Sequence, residues 1–167
     1  MTRGAGADGT EPDGSVVAAR IGFAEFYERE WSGAVRLAAL LTQSTTAAED
    51  VAQDAFVRVY PNWASARNPG GYLRVTLVNV CRNRQRHAGV HQSKLPLLVE
   101  PASVELATSD LADAVAGLPY RQRAVLVLRY HLGQSEAEIA EALGVRAGTV
   151  KSLSARALAR LAKELPR

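Results

Sequence analysis

The sequence predicts an all-α protein made of two small helical domains joined by a flexible linker. Apolar residues recur at helical spacing along most of the 167 residues, and strand-like alternation is nearly absent. This periodicity lapses over residues 90–108, where two prolines and mixed polarity are typical of a linker. We therefore expect domains at 21–89 and 109–167, and a disordered tail at 1–20 that contains glycine and aspartate.

Three helices are expected in the N-terminal domain. The first covers about residues 23–41. The second begins near Thr46 and Glu49, which have the spacing of a capping box, and it ends at Pro61. The third covers residues 69–88, because proline suits the first turn of a helix.

Three or four helices follow in the C-terminal domain, at Asp110–Gly117, Pro119–His131, Glu136–Leu143 and Ala147–Leu165. Ser135 and Glu138 form a second capping box, and Gly144 gives the backbone freedom for a tight turn between the last two helices.

The last helix has an apolar stripe and a separate polar face. Val150, Leu153, Ala157 and Leu161 recur at core spacing. The residues outside that stripe are Arg146, Thr149, Lys151, Ser152 and Arg156. Spacing alone leaves two interpretations: an ordinary helical hairpin with a solvated face, or a helix-turn-helix whose second helix reads DNA.

Charge is distributed unevenly along the chain. No Asp or Glu occurs from Pro61 to Val99, and the last 22 residues hold one acid against six Lys and Arg. The stretch between these regions, Glu100–Asp113, is acidic. Two basic regions separated by an acidic one indicate two contacts with a polyanion.

No catalytic residue, cofactor or metal site is expected. Cys81, the single cysteine, excludes an intrachain disulfide and is interpreted as a buried apolar residue. His87 and His91 have i, i+4 spacing, but Gly89 between them should end the helix. No signal peptide or run of about 18 apolar residues is found, so we expect a cytoplasmic protein without membrane insertion.

Two strings then indicate a family. "LPYRQRAVLVLRYHLGQSEAEIAEALGVRAGTVKSLSARALARL" resembles region 4 of the extracytoplasmic-function sigma factors, the group IV relatives of bacterial sigma-70, and most of all an actinobacterial sigma-E-like group. "AAEDVAQDAFVRVYPNWASARNPGGYLRVTLVNVCRNRQR" resembles region 2 of the same family. The resemblance implies an RNA polymerase sigma factor that directs core polymerase to specific promoters.

The family resemblance implies two polymerase contacts, with the β′ coiled coil and the β flap. The string "EDVAQD" matches the β′-docking helix and assigns that contact to Asp50, Gln53 and Asp54. Carboxylates at this spacing share one helix face and can pair with arginines of a partner helix. A solvated face is the other interpretation. Members are also usually restrained by an anti-sigma factor, so such a partner is possible here.

The resemblance further implies that region 2 recognises and melts the promoter −10 element, with a flipped base held beside Asn79. Trapping an unstacked strand needs aromatic or amide surface beside arginines. The matching residues are Trp63, Arg67, Asn68, Arg74, Asn79, Arg82 and Arg86. Trp63 has a second interpretation, as a core residue that ends the apolar stripe of its helix.

Region 4 would read the −35 element through Arg146, Thr149, Lys151, Ser152 and Arg156. Relatives carry an arginine directly after the serine, whereas this chain continues with Leu153, Ser154 and Ala155. We expect Leu153 to take a core position and one phosphate contact to be lost, so that −35 binding is weak or altered. On this reasoning an arginine at 153 should restore the contact.

One alternative function remains at this point. A helix-turn-helix regulator would bind duplex DNA through the C-terminal domain without acting as a polymerase subunit. It predicts specific duplex binding by the free protein, whereas a sigma factor predicts little binding by the free protein and promoter-specific transcription with core enzyme.

Overall fold

The structure, a computed structural model, describes residues 14–88 and 110–165, and over those ranges it contains helices and turns without a strand. The helices are α1 (Gly14–Thr42), α2 (Thr45–Val59), α3 (Pro69–Ala88), α4 (Asp110–Ala116), α5 (Tyr120–Leu126), α6 (Glu136–Leu143) and α7 (Ala147–Glu164). A 3₁₀ helix, Tyr60–Ser65, follows α2, and a π-helical turn, Val127–His131, extends α5. The all-α prediction is confirmed. The predicted linker, 90–108, lies outside the described residues.

The first helix begins earlier than the sequence predicts. α1 starts at Gly14, so it includes residues 14–20 of the predicted disordered tail. No proline or second glycine follows until Gly22, and nothing in the local sequence stops the helix over that stretch. Residues 1–13 lie outside the description.

The predicted capping box of α2 is wrong. α2 begins at Thr45, and its N-cap is Ser44, whose hydroxyl accepts a hydrogen bond from the Ala47 amide at 3.2 Å. Gln43 has a left-handed φ of 59°, which ends α1 and leaves Ser44 extended, the conformation an N-cap needs. The connection between the two helices is therefore only two residues long.

The three long N-terminal helices pack around an aromatic and aliphatic core. Phe26 and Leu41 of α1, Phe56 of α2 and Leu77 of α3 are all buried. Phe26 and Phe56 meet edge to face with centroids 5.9 Å apart. Each such side chain contributes about 1.5–3 kcal/mol by leaving water, so this cluster fixes how α2 and α3 lie on α1.

Trp63 belongs to this core. It is half-buried and meets Phe23 edge to face, with centroids 5.8 Å apart. A Cβ placed on Gly22 would lie 2.8 Å from the Trp63 indole, so the ring fills the space that glycine leaves. The packing favours the core interpretation of this residue.

The C-terminal helices form a helix-turn-helix. The Ser135–Glu138 capping box at the start of α6 is confirmed, and Gly144 ends α6 at the predicted tight turn, with a left-handed backbone, φ 63°. Ile139 of α6 and Val150 of α7 are fully buried across this turn. A smaller cluster joins α4 and α5 to the far part of α7 through Ala114, Leu118, Leu126, Ala157 and Leu161.

The two domains also pack against each other, which the sequence does not predict. One cluster of buried residues contains Leu41, Val78 and Cys81 from the N-terminal helices together with Leu128 and Ile139 from the C-terminal ones. α6 lies against α3, and α5 lies near both α1 and α3. The described residues thus form one closed body.

Candidate nucleic-acid interfaces

The polar face of α7 is open to solvent. Arg146, Lys151 and Arg156 are exposed, whereas Thr149 and Ser152 are half-buried. The Ser152 hydroxyl donates to the Thr149 carbonyl at 3.0 Å, and the Lys151 ammonium lies 3.7 Å from Glu136 of α6. The opposite stripe is buried as predicted, so this face is free to enter a groove of DNA.

The start of α7 leaves room for a phosphate. Its N-cap, Arg146, makes no side-chain capping bond, and apart from the adjoining residues and backbone of α7 itself, no described atom lies within 4 Å of a Cβ built on Gly148. The first amides of a helix have no helical acceptor and carry partial positive charge. Together with the exposed Arg146 they can hold an anion.

The departure from the family pattern at 153–155 corrects one expectation. Leu153 is only 8% exposed and takes the predicted core position, and Ser154 is buried too. An arginine at 153 would therefore enter the core, so the idea that it restores a phosphate contact is wrong. Ala155 is exposed, and an added arginine could point outward there.

The predicted −10 residues separate into two groups. Arg67, Asn68 and Arg86 are exposed, whereas Arg74, Asn79 and Arg82 are half-buried. The Asn68 carboxamide accepts from the Gly71 amide at 2.9 Å, so it caps α3. Trp63, discussed above, lies in the core instead of beside them.

The half-buried group, Arg74, Asn79 and Arg82, makes contacts within the protein. Arg82 donates to the Asn79 carboxamide at 2.9 Å and to the Leu143 carbonyl at 3.1 Å, at the end of α6. Arg74 is near enough to Glu138 of α6 to help lower the pKa of that carboxyl, after hydrogen bonds from Ser135. The C-terminal domain therefore covers this part of α3.

The acidic face of α2 is exposed but internally paired. Asp50 and Gln53 are exposed and Asp54 is half-exposed. Asp54 accepts two bonds from Arg58, at 2.9 and 3.0 Å, and these hold the pKa of Arg58 above its usual value. Exposed ion pairs contribute at most about 1 kcal/mol, so a partner's arginines can displace Arg58.

An apolar groove that the sequence analysis missed adjoins this face. It has a volume of about 250 Å³ and is lined by Phe23, Tyr27, Gln53, Phe56, Val57 and Tyr60. Val57 and Tyr60 are 65% and 47% exposed. The signal was present, because Gln53, Val57 and Tyr60 follow i, i+4, i+7 and share one helix face.

Buried polar groups at the domain boundary were also missed. Arg123 is 4% exposed and Tyr120 is half-buried. Burial lowers the pKa of Arg123 and raises that of Tyr120. Burial also raises the pKa of Cys81 to about 12, so the thiol stays protonated. A buried Cys81 agrees with the prediction. His87 is exposed, and His91 lies outside the described residues.

No helix among the described residues is both long and apolar enough to cross a bilayer.

Comparison with known proteins supports the resemblance of the two sequence stretches to regions 2 and 4. Residues 26–90 match the family model described as Sigma-70 region 2, and residues 108–161 match Sigma-70, region 4. The chain is 35% identical over 154 residues to the ECF RNA polymerase sigma factor SigM of Mycobacterium tuberculosis, covering 87% of this chain and 78% of that protein. It is 36% identical over 152 residues to the RNA polymerase sigma-E factor of Streptomyces avermitilis, covering 86% and 84%.

Two solved structures share the fold. The sigma factor RpoE of Bartonella quintana, solved with the anti-sigma factor NepR, superposes with a TM-score of 0.69 at 23% identity, covering 86% of this chain and 96% of that one. CnrH, solved with the cytosolic domain of CnrY, gives 0.60 at 22% identity, covering 89% and 92%.

Proposed function

Because this chain belongs to the sigma-70 family, among its extracytoplasmic-function sigma factors, we propose that residues 21–89 act as region 2 and residues 109–167 as region 4. The protein is an RNA polymerase sigma factor, which directs core polymerase to specific promoters. The order of the two matched regions carries this conclusion. The alternative, a helix-turn-helix regulator that binds duplex DNA alone, is not favoured because it has no need of region 2.

Region 2 docks on polymerase through the acidic face of α2 and the groove beside it. Asp50 and Gln53 are exposed and Asp54 is half-exposed. We assign these three residues to a basic partner helix, which in this family is the β′ coiled coil. Val57 and Tyr60 give the same partner an apolar contact. A mixed acidic and apolar surface suits this role, because apolar burial supplies affinity and charge pairing fixes register.

The −10 element is melted by the basic residues of region 2. Arg67 and Arg86 grip phosphates, while Asn79 and Arg82 border the pocket for the flipped base. The support for this is the absence of Asp and Glu between Pro61 and Val99 and the exposure of Arg67 and Arg86.

The −35 element is read in the major groove by α7. Lys151, Ser152 and Arg156 face the bases and backbone, and Arg146 contacts a phosphate at the helix start. The support is the exposed polar face opposite a fully buried stripe. Leu153, directly after Ser152, packs in the core, so the phosphate contacts of this helix come from Arg146, Lys151 and Arg156.

The partners follow from these surfaces. They are core RNA polymerase, through its β′ coiled coil and β flap, promoter DNA, and an anti-sigma factor. Such a protein acts where transcription occurs, in the cytoplasm, and it is a binding subunit without catalytic residues or cofactors of its own.

Run-off transcription tests the proposal. We expect core RNA polymerase of a Streptomyces species, mixed with the purified chain and a pool of promoter fragments, to give discrete transcripts that core enzyme alone does not give.

A binding measurement tests docking through α2. Asp54→Arg should lower the affinity for core polymerase, followed by co-elution, at least about tenfold, because each charge contact at an interface contributes about 1–3 kcal/mol. Asp113→Arg, at an exposed acid of α4, is the matched control. Equal loss in both variants would refute docking through α2.

A further inference from the structure

Glu136 lies between two cations of the helix-turn-helix. It is the first residue of α6, and its side chain is half-buried. One carboxylate oxygen, Oε1, accepts a hydrogen bond from Nη1 of Arg129 at 3.3 Å. The other oxygen, Oε2, lies 3.7 Å from the ammonium of Lys151 on α7. This carboxylate therefore joins the π-helical turn after α5 to both helices of the helix-turn-helix.

The two ion pairs of Glu136 differ in how firmly they are held. The Arg129 side chain is 37% exposed and donates a hydrogen bond, whereas the Lys151 side chain is 71% exposed and its separation from Glu136 is longer than a hydrogen bond. Arg129 thus fixes the position of the carboxylate. Lys151, at the end of a flexible four-carbon stem, is the member of the network that can leave.

The other acids of α6 make different contacts. Glu138 accepts hydrogen bonds from the Ser135 amide and hydroxyl at 2.8 and 2.7 Å, within its own helix start. Glu141 is exposed, and no ion pair of its side chain is found among the described residues. Of the contacts that the described residues give these three acids, the one that reaches the polar face of α7 belongs to Glu136.

The side on which Lys151 is held affects how it meets DNA. In helix-turn-helix docking the second helix enters the major groove, and the first helix crosses the phosphate backbone. The contact with Glu136 holds Lys151 on the side of the first helix, α6. A free lysine is a mobile point charge that can reach a phosphate in many registers, and such contacts support binding to any sequence.

We propose that Glu136, anchored by Arg129, is a positioning residue for Lys151 and a determinant of sequence specificity in duplex binding. A lysine that is already held has lost part of the rotamer freedom that a free lysine loses on contact, so the register that suits its position is favoured. In other registers Lys151 has to leave Glu136, whose negative charge then faces the phosphates alone.

This inference rests on the proposed −35 role of α7. The contacts of Glu136 lie within the C-terminal domain, so they do not depend on how the two domains are arranged.

The test uses holoenzyme assembled from the full chain and core polymerase. Its probes are two duplexes of equal length: the promoter fragment that gives the strongest run-off transcript, and a duplex of random sequence. The affinity for the first divided by the affinity for the second is the specificity ratio. Contributions from region 2 and from core enzyme are the same in every variant, so they cancel when ratios are compared. Circular dichroism checks the fold.

We expect Glu136→Gln to lower the specificity ratio at least about threefold, the factor that an exposed ion pair carries, mainly because the random duplex binds more tightly. Glu141→Gln is the matched control. It removes the same charge from the same helix, at an exposed position, and should leave the ratio unchanged. Equal ratios in both variants and the unaltered protein would overturn the proposal.

Glu136→Asp separates position from charge. The aspartate keeps the negative charge and its favourable place in the first turn of α6, but it is one carbon shorter and withdraws from Lys151. We expect the ratio to fall about twofold, because the lysine is no longer held. A charge effect alone would leave this variant like the unaltered protein, and that result would refute positioning.

A double variant shows whether Glu136 acts through Lys151. In the Lys151→Gln background, Glu136→Gln should lower the ratio no further, because the residue it positions is absent. An equal fall with and without Lys151 would overturn the positioning role.

Arg156→Gln distinguishes this inference from the proposed function. Arg156 is exposed on the same face of α7 and should be needed for binding to the promoter fragment. If Arg156→Gln and Lys151→Gln both leave that affinity unchanged, the −35 assignment of α7 fails, and the role of Glu136 fails with it. If Arg156→Gln weakens promoter binding while Glu136→Gln leaves the ratio unchanged, only the role of Glu136 is overturned.

Discussion

The two helices assigned to DNA contact, α3 and α7, differ in what covers them. α7 turns its arginines to solvent and Leu153 and Leu161 inward, so its polar face is available. α3 has an equally basic sequence, but Arg74 and Arg82 lie against α6. Basic composition therefore identifies a surface that can bind DNA without saying whether that surface is open in the free protein.

The N-termini of α3 and α7 also differ, in whether a side chain caps them. Asn68 satisfies an amide of α3 with its own side chain, whereas Arg146 makes no such bond and leaves the first amides of α7 for a ligand. A capped start contributes stability, and an uncapped one contributes a binding site. Stability and DNA binding can be measured separately for variants of these two helix starts.

The largest expected effect concerns the two faces of α7. Leu153→Ala should lower the free energy of unfolding by about 2–5 kcal/mol, because Leu153 is buried. Leu158→Ala on the same helix should cost well under 1 kcal/mol, since Leu158 is 45% exposed. Urea denaturation measures both. Similar losses for the two leucines would mean that α7 is packed on another face.

The next prediction compares the exposed Arg156 with the half-buried Arg82 in duplex binding by the free protein. Arg156→Gln should weaken binding to duplex DNA and reduce the slope of log K against log salt by about 0.9, the loss of one phosphate contact. Arg82→Gln should leave the slope unchanged, because Arg82 is bonded to Leu143 and Asn79. Fluorescence anisotropy at several salt concentrations gives the slopes. A reduced slope for Arg82→Gln would place that residue on the open surface.

The start of α7 should trade stability against binding. Arg146→Ser introduces a capping side chain and should stabilise the protein by about 1 kcal/mol. It should also weaken duplex binding, because one cation and the free amides are lost together. The two effects have opposite signs, and thermal unfolding and anisotropy measure them on the same sample. Unchanged binding would exclude the anion site at this helix start.

The smallest effect concerns the capped start of α3. Asn68→Ala should cost about 1 kcal/mol by removing the cap, whereas Asn68→Asp keeps an acceptor and should cost less than half as much. Both variants should weaken single-stranded DNA binding if Asn68 contacts the strand, because Asn68 is exposed. The aspartate variant should weaken it more, because its charge repels phosphate. Weakening by alanine alone would assign Asn68 a purely capping role.

Local features of the fold were readable from the sequence. The Ser135–Glu138 box and the Gly144 turn depend on residues within a few positions, and both occur as predicted. The box at Thr46 and Glu49 failed because an equally local pattern, a left-handed Gln43 before Ser44, starts the helix earlier. Buried stripes followed from helical spacing, which is why Leu153 was assigned correctly.

The domain contact was not predictable because its chemistry has no local pattern. Arg123 and Leu41 are 82 positions apart, and the acceptor is a backbone carbonyl that every residue possesses. The exposure of the predicted site residues depends on the same contact. The sequence therefore predicted which basic residues are candidates for DNA contact. Packing between the domains decides which of them are exposed to solvent.

The two-residue connection at Gln43 and Ser44 leaves α2 no independent orientation. Phe56 packs α2 against Phe26 of α1, so the helix cannot move freely to take up extra chain. A residue inserted here has to be accommodated by a longer turn or by unwinding the first turn of α2, and either change removes the Ser44 cap. The orientation of the Asp54 face therefore depends on the length of this connection.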